Sequence, residues 1–243
     1  MSITWKIIVY AVISGVISCY ANLGLAQQEK DIIRELEGEN CQSSTEVTYR
    51  SQQLTSPDSI TSVYFEVILR RTGKTGDYGD GEYCYPLYNR ETLKRKIVAA
   101  NLTSSRNIEL QPENEAYVVM KPISFSPDSR YVVIREDYAW NGGDGETAHL
   151  ILDTENNYRD LSLYPCQNSY GGGKYEGFIS PSEILFSCYE PMSSDFAVVD
   201  LEHHSIRRIS RKPVVSESAQ SYGSVTSKFA VITKQVFPAD SNF

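Results

Sequence analysis

Three stretches of the 243-residue chain open in the same way. Ser56-Pro57-Asp58-Ser59, Ser126-Pro127-Asp128-Ser129 and Ser180-Pro181-Ser182-Glu183 each lead into an apolar run. After each run come a polar loop, a second apolar run, a charged turn and a third apolar run. One such unit has too little apolar surface to make a core alone and must stack on its neighbours. That requirement constrains the fold more than any other feature of the chain.

The middle copy shows the pattern most fully. Pro122 to Phe125 enters the Ser126-Pro127-Asp128-Ser129 turn, and Tyr131-Val132-Val133-Ile134 leaves it. The loop Asn141-Gly142-Gly143-Asp144-Gly145-Glu146 precedes His149 to Asp153, and Thr154 to Asn157 turns the chain into Tyr158 to Leu161. Proline presets φ in such a turn, and Asp or Ser side chains bond the backbone one or two residues on. The first copy reads as Val63 to Leu69, Gly79-Asp80-Gly81-Glu82, Cys84 to Tyr88, the turn Asn89-Arg90-Glu91-Thr92 and Leu93 to Val98. The third reads as Ile184 to Cys188, Phe196 to Asp200, the turn Leu201 to His204 and Ser205 to Ile209. Asn89, Asp153 and Asp200 close the second run after each turn, and Glu91, Glu155 and Glu202 follow two residues later. The runs are short, β-branched and aromatic, which predicts strands.

The prediction is an all-β protein of antiparallel sheet repeats, propeller-like, with three clear blades. A fourth would be degenerate, assembled from Tyr222 to Thr226, Lys228 to Val236 and, from the other end of the chain, Glu46 to Tyr49 or Gln53. A propeller needs at least about four blades to close. An open or sandwich-like stack of sheets is the alternative. Phe125 to Val133, followed by Leu150-Ile151-Leu152-Asp153-Thr154, resembles a blade of the TolB-type propellers and of prolyl-oligopeptidase-type propeller domains. Phe196 to Leu201 with Ile206 to Ile209 is similar to the second half of such a blade. The resemblance spans about residues 56–210 and holds at the level of the blade. That family usually has glycine where Ser129 and Asn157 stand here, and its hydrolase domain has no counterpart in this chain.

The amino-terminal segment suits export. Lys6 precedes an apolar run from Ile7 to Ile17, and Gly24 and Ala26 stand before a cleavage point at Gln27. Two other readings fit the same residues. Val16-Ile17-Ser18-Cys19 matches a loose lipoprotein box, with a lipid on Cys19, and the segment is near the length of an uncleaved anchor. The divisions that follow are a signal peptide at 1–26, a lead-in segment at 27–45, a single β-repeat domain at 46–238 and a tail at 239–243. Four cysteines remain beyond Cys19: Cys41, Cys84, Cys166 and Cys188. An even number in an exported chain predicts two disulfides. Three pairings are open; Cys166 with Cys188 flanks one loop and its strand, and this leaves Cys41 with Cys84.

Thirty-one acidic against 23 basic residues give a net charge of −8, which disfavours nucleic acid as a partner. The one basic cluster, Arg207, Arg208, Arg211 and Lys212, interleaves partly with Ile206 and Ile209 and reads as the wet face of an outer strand. Asp80 with Glu82, and Asp144 with Glu146, recur around glycines and offer a weak Ca²⁺ reading. Neither has a closing bidentate Glu at the right distance, and Asp-Gly is an ordinary hairpin pair. No cofactor is expected otherwise. No nucleophile elbow, His-Glu-x-x-His or catalytic-cysteine signature is present. Glu136 and Asp137 are adjacent, so on a strand they point to opposite faces and make a poor catalytic pair.

Aromatic residues gather in the long glycine-rich loops. Tyr138 and Trp140 precede Asp144, and Tyr170 and Tyr175 bracket Gly171-Gly172-Gly173-Lys174. Rigid aromatics beside polar groups suit a sugar ring or a protein surface. Tyr138, Trp140, Asp144, Tyr170 and Tyr175 are therefore the candidate ligand-binding residues, on an exported, non-enzymatic binding module with a protein or glycan partner. The alternatives are an extracytoplasmic hydrolase of glycan or peptide, and a structural part of a larger envelope assembly. The export reading predicts a mature chain beginning near Gln27 with two disulfides. Intact mass before and after reduction tests it; four free thiols or a lipid on Cys19 would contradict it.

Overall fold

The computed structural model describes residues 44–71, 90–104, 106–110, 117–138, 147–166, 173–190, 193–209 and 219–237. Every regular element among them is a strand: β1 Ser44–Arg50, β2 Gln53–Thr55, β3 Thr61–Arg71, β4 Arg90–Asn101, β5 Arg106–Leu110, β6 Tyr117–Phe125, β7 Tyr131–Tyr138, β8 Thr147–Asp153, β9 Arg159–Asp160, β10 Lys174–Phe178, β11 Glu183–Glu190, β12 Ser193–Asp200, β13 Ser205–Ile209, β14 Ser224–Ser227 and β15 Ala230–Phe237. They form three sheets. The second is β6-β7-β8-β9 and the third β10-β11-β12-β13, each with its strands in sequence order. The first has seven strands in the order β14-β2-β3-β1-β15, with β4 beside β3 and β5 beside β4. The strands expected to build a fourth sheet, from Glu46 to Gln53 and from Tyr222 to Val236, fall largely in β1, β2, β14 and β15 and join the first sheet instead.

The chain divides into two compact units. The smaller comprises residues 1–47, 70–91 and 234–243, where Arg70 Nη2 meets Glu46 Oε2 at 2.9 Å. The larger comprises residues 48–69 and 92–233 and holds the second and third sheets with most of the first.

The three Ser-Pro turns each join two neighbouring strands of one sheet: β2 to β3, β6 to β7 and β10 to β11. In the first two the wiring is the same, bond for bond. Ser56 Oγ donates to Asp58 Oδ1, which also accepts Ile60 N, and Ser56 Oγ accepts Thr61 N. Ser126, Asp128, Arg130 and Tyr131 repeat that set. The third turn lacks the aspartate and is a residue shorter: Ile179 N bonds Glu183 O, and Glu183 N bonds Ser180 Oγ. A second recurring bond ties each hairpin to its neighbour. Leu102 N donates to Ile60 O, Thr154 N to Arg130 O and Leu201 N to Ser182 O, at 2.7–2.9 Å.

That recurrence corrects the reading of the first copy. The expected turn at Asn89 to Thr92 does not exist, because β4 runs from Arg90 to Asn101 without a break. The residue equivalent to Asp153 and Asp200 is Asn101. Its Oδ1 accepts Thr103 N and Ser104 N, as Asp153 Oδ1 accepts Glu155 N and Asn156 N and Asp200 Oδ1 accepts Glu202 N and His203 N. A short side-chain acceptor at the end of a strand satisfies the first amides of a turn, and Asn and Asp do this alike.

Burial follows from each strand's neighbours. On β3, Val63, Phe65, Val67 and Leu69 are buried while Tyr64, Glu66, Ile68 and Arg70 are half-exposed, the period of a sheet with one wet face. Across that wet face Arg50, Glu66, Lys96 and Glu109 form a chain of ion pairs at 2.6–3.3 Å. By contrast Tyr131 to Ile134 on β7 and Ile184 to Cys188 on β11 are buried at every position, as a strand covered on both faces requires. Tyr131, Val133 and Ile151 pack with Phe178, Ile184, Phe186 and Val199 between the second and third sheets.

The C-terminal segment laces the strand that leads into the Ser-Pro turn in each of the three sheets: β10, β6 and β2. Gln220 exchanges both backbone bonds with Phe178 on β10. Tyr222 O accepts Phe125 N on β6, and Tyr222 N donates to Ser124 Oγ. Ser224 and Val225 then pair with Thr55 and Leu54 on β2. Contacts two residues apart on an extended chain are about 6.6 Å apart, less than the ~10 Å between sheets packed face to face. Strands β2, β6 and β10 therefore converge where the segment crosses them. Gly177 permits the close crossing: a Cβ there would stand 2.6 Å from Gln220 N and 2.9 Å from Ala219 C.

Two substitutions test these constraints in opposite directions. Ser59 and Ser129 hold left-handed φ values of 61° and 68°, which cost an L-residue about 1–2 kcal/mol. Ser59→Gly should raise Tm by about 2 °C. Ser129→Gly should gain less, because Ser129 Oγ accepts Asp58 N. Gly177→Ala should instead lower stability by about 2 kcal/mol or more. Thermal unfolding of the three variants reads both effects; a neutral Gly177→Ala would show that the crossing does not constrain the fold.

Candidate functional site

Strand parity sorts the connections by end. In an antiparallel sheet of four sequential strands, the turns between strands one and two and between three and four share one end. The connection between two and three, and the exit to the next sheet, share the other. At the first end lie the short turns 126–130, 154–158, 179–182 and 201–204, whose amides are met by Ser and Asp side chains or by neighbouring carbonyls. At the second end the chain leaves Tyr138 and returns at Thr147, and leaves Cys166 and returns at Gly173. The second and third sheets thus carry their longer connections at one common end. Toward this second end the strands carry Arg135, Glu136, His149, Lys174, Glu176 and Ser187.

A disulfide holds this end together. Cys166, on the connection between the second and third sheets, is bonded to Cys188 on β11, with Cα atoms 5.4 Å apart. Both are buried with Ala197. Cys188 Sγ also lies near Pro165 O, at 3.9 Å. Gly173 has φ +94°, and a Cβ there would run into Cys166 Sγ and stand 3.0 Å from Ser187 O. The last glycine of Gly171-Gly172-Gly173 is thus required by the bridge beside it. Next to it Ser187 Oγ donates to Glu176 Oε1 at 2.8 Å, and Lys174 Nζ reaches the same oxygen at 3.3 Å.

Two titratable groups on the second sheet are held far from their ordinary states. Glu136, half-buried on β7, pairs across the sheet with Met120 and Ala148. Burial raises its carboxyl to about 7, helped by the charge of Asp160 and opposed by the buried Arg95 of β4. His149, on β8, packs edge-on against Phe186 at 5.2 Å and near Tyr175 at 6.2 Å. Burial, with the charge of Arg135, lowers its imidazole to about 3. His149 is therefore a neutral packing ring at physiological pH, while Glu136 is divided between its two protonation states.

Of the sequence-predicted ligand residues, Tyr138 is the last residue of β7, paired through its backbone with Tyr117. Tyr175 lies on β10 with its ring against Phe178 and Phe186. Its hydroxyl is buried beside those of Ser124 and Ser221 without a hydrogen bond of good geometry, and burial pushes it up to about 12. The Tyr175 ring is thus committed to packing between sheets. Trp140, Asp144 and Tyr170 lie outside the described residues, as do Cys41, Cys84, Asp80, Glu82 and Glu146. Glu136 drew notice in the sequence only as half of a poor catalytic pair. Its signal was its place two residues beyond Val132 and Ile134 on an alternating face, which aims it where those apolar side chains go. Among the described residues no group of three His, Cys, Asp or Glu could hold a metal ion, and no helix is long and apolar enough to cross a membrane.

No protein-family model and no curated protein matches the chain. Among solved structures it is similar to TolB from Acinetobacter baumannii, with 11% identity and a TM-score of 0.27. The match covers 68% of this chain and 42% of TolB, so the chain spans less than half of that protein's length.

The two shifted groups make opposite demands on stability. Between pH 4.5 and about 7 the folded chain keeps a proton on Glu136 that the unfolded chain releases, so stability falls as pH rises. Between about 3 and 6.5 the unfolded chain takes a proton on His149 that the folded chain refuses, so stability falls as pH drops. Each slope is at most about 1.4 kcal/mol per pH unit. From pH 4.5 to 6.5 the two nearly cancel. Glu136→Gln should therefore make stability rise with pH over that window, and His149→Gln should make it fall. Urea unfolding at several pH values measures both, and unchanged slopes in both variants would refute the assignment.

Proposed function

We propose that this protein is an exported binding module whose ligand, a glycan or protein surface, is held by the connections leaving the disulfide-bridged end of the second and third sheets. The observation that carries this reading is the strand order. It sends the connection containing Trp140 and Asp144 and the connection containing Tyr170 out from the same end. Connections of that length in a compact domain are often functional. Export is supported by the Cys166–Cys188 bridge, since disulfides persist in oxidising compartments, and by the amino-terminal Lys6 and Ile7 to Ile17 pattern. Periplasmic or extracellular space, with or without a lipid on Cys19, is the compartment this reading implies.

One observation favours a second reading. Glu136 has a carboxyl near neutrality at that same end, as a general acid or base needs. It suits a hydrolase acting on glycan or peptide.

Retention on insoluble cell-wall polysaccharide, with soluble products followed over time, separates the readings. The binding module should be retained without turnover. Trp140→Ala with Tyr170→Ala should abolish retention while leaving Tm nearly unchanged. Release of products that stops with Glu136→Gln would establish the hydrolase instead, and retention unaffected by the double variant would sink the loop site.

A further inference from the structure

One turn residue carries an atom that its turn does not use. Asn101 ends β4 as Asp153 ends β8 and Asp200 ends β12, and one side-chain oxygen of each accepts amides of the turn that follows. In the two aspartates the second oxygen is engaged as well. Asp153 Oδ2 accepts Arg130 Nη2 at 3.2 Å and Asn156 Nδ2 at 2.6 Å, and Asp200 Oδ2 meets His203 Nδ1 at 2.8 Å. In Asn101 every bond falls on Oδ1, including the one donated by the Thr103 hydroxyl at 2.7 Å, and Nδ2 has no partner among the described residues. An aspartate would make this turn equally well, as it does in the other two sheets. The turn thus accounts for a short side-chain acceptor at this position, but not for an amide.

Asn101-Leu102-Thr103 is also the only Asn-x-Ser/Thr triplet in the chain, and its middle residue is not proline. In an exported protein that triplet is the acceptor for asparagine-linked glycan, which takes the amide nitrogen of the first residue. The setting is open. Leu102, Thr103 and Ser104 are exposed. Leu102 N bonds Ile60 O at 2.7 Å, and these two apolar neighbours stand 48% and 41% exposed. In the third sheet the residue that makes the equivalent bond, Leu201, is buried. A sugar on Asn101 would shield Leu102 and Ile60 from water with its apolar C–H face. The bond from Asp58 N to Ser129 Oγ keeps this turn at the short-turn end, so a glycan here leaves the opposite end uncovered.

We propose that Asn101 is a modification site, the acceptor of an asparagine-linked oligosaccharide; this rests on the proposed export of the chain. The donor class is a lipid-pyrophosphate-linked oligosaccharide, and the partner is an oligosaccharyl transferase of the export pathway. The anomeric C–O bond to the pyrophosphate breaks, and its electrons stay with the pyrophosphate. Asn101 Nδ2 forms the new C–N bond and gives one proton to a base of the transferase. The test takes the full chain from the cells that make it and measures intact mass and a peptide map. The peptide containing Asn101 should carry a sugar mass, lost in Asn101→Asp and in Thr103→Ala and kept in Thr103→Ser. Asn101→Asp retains the acceptor of the turn, so it should unfold at the same temperature as wild type stripped of glycan, and its loss of sugar is then not a loss of fold. A chain without its leader, bearing the Cys166–Cys188 bridge but unmodified at Asn101, would overturn the proposal and leave export standing. A retained leader with free thiols at Cys166 and Cys188 would overturn both. A sugar mass unchanged in Asn101→Asp and Thr103→Ala would lie elsewhere on the chain and overturn the assignment.

Discussion

The crossing of residues 220 to 225 over β10, β6 and β2 is the constraint on which the larger unit's order depends. Each sheet closes its own hairpins locally. Nothing in a hairpin fixes where the next sheet begins. The crossing segment supplies that information, because its bonds to Phe178, Phe125 and Thr55 lie at a two-residue spacing set by the geometry of an extended chain. The contacts join residues far apart in sequence, so they form only after considerable loop-closure entropy has been spent. Among the side chains, Tyr222 packs against the core between the second and third sheets, while Gln220, Ser221, Ser224 and Val225 are exposed. Backbone hydrogen bonds and the absence of a Cβ at Gly177 do the joining.

Much of the fold was legible because its signals were local. The Ser-Pro turns, the Asp153 and Asp200 ends and the apolar runs are each contained within a few residues, and the structure places them in equivalent positions. The first copy misled for a physical reason. Asn89-Arg90-Glu91-Thr92 has the composition of the other two turns, but composition does not say which asparagine ends a strand. Asn101, followed by Leu102-Thr103-Ser104, lacks the glutamate of the other two and still makes the same side-chain bonds. The Asx turn needs one short acceptor at the strand's end and two free amides after it. The fourth sheet failed similarly: Tyr222 to Val236 reads as strand and is strand, yet its partners were set by long-range pairing that no local pattern encodes.

The candidate site was less legible. Tyr175 looked like a loop aromatic because it follows three glycines, but β10 begins at Lys174 and turns the ring into the packing around Phe186. Gly173 looked like part of a flexible loop, and its place is dictated by the neighbouring Cys166–Cys188 bridge. Glu136 looked like an ordinary strand charge. Its state is set by burial and the charge of Asp160, with Arg95, 41 positions earlier on another sheet, opposing them. Sequence patterning finds the residues that make a sheet; it does not find the environment that a second sheet imposes on them.

The two ends of the sheets divide the work of the larger unit. At the short-turn end, almost every hydrogen bond has a fixed partner, and the turns tolerate left-handed Ser59, Ser129, Asn157 and His204 because the surrounding bonds hold them there. At the other end the sheets are stapled by one disulfide, and the chain leaves them in segments long enough to vary without altering strand register. Glu136 and His149 stand at the boundary between these regimes. They are still within the sheets, so burial governs their protonation, but Glu136 is half-exposed where the connections emerge. A ligand that covers Glu136 would remove the remaining water from its carboxyl and favour the protonated form further. Binding of such a ligand would then draw in a proton near neutral pH, coupling occupancy of the loop end to the acidity of the surroundings.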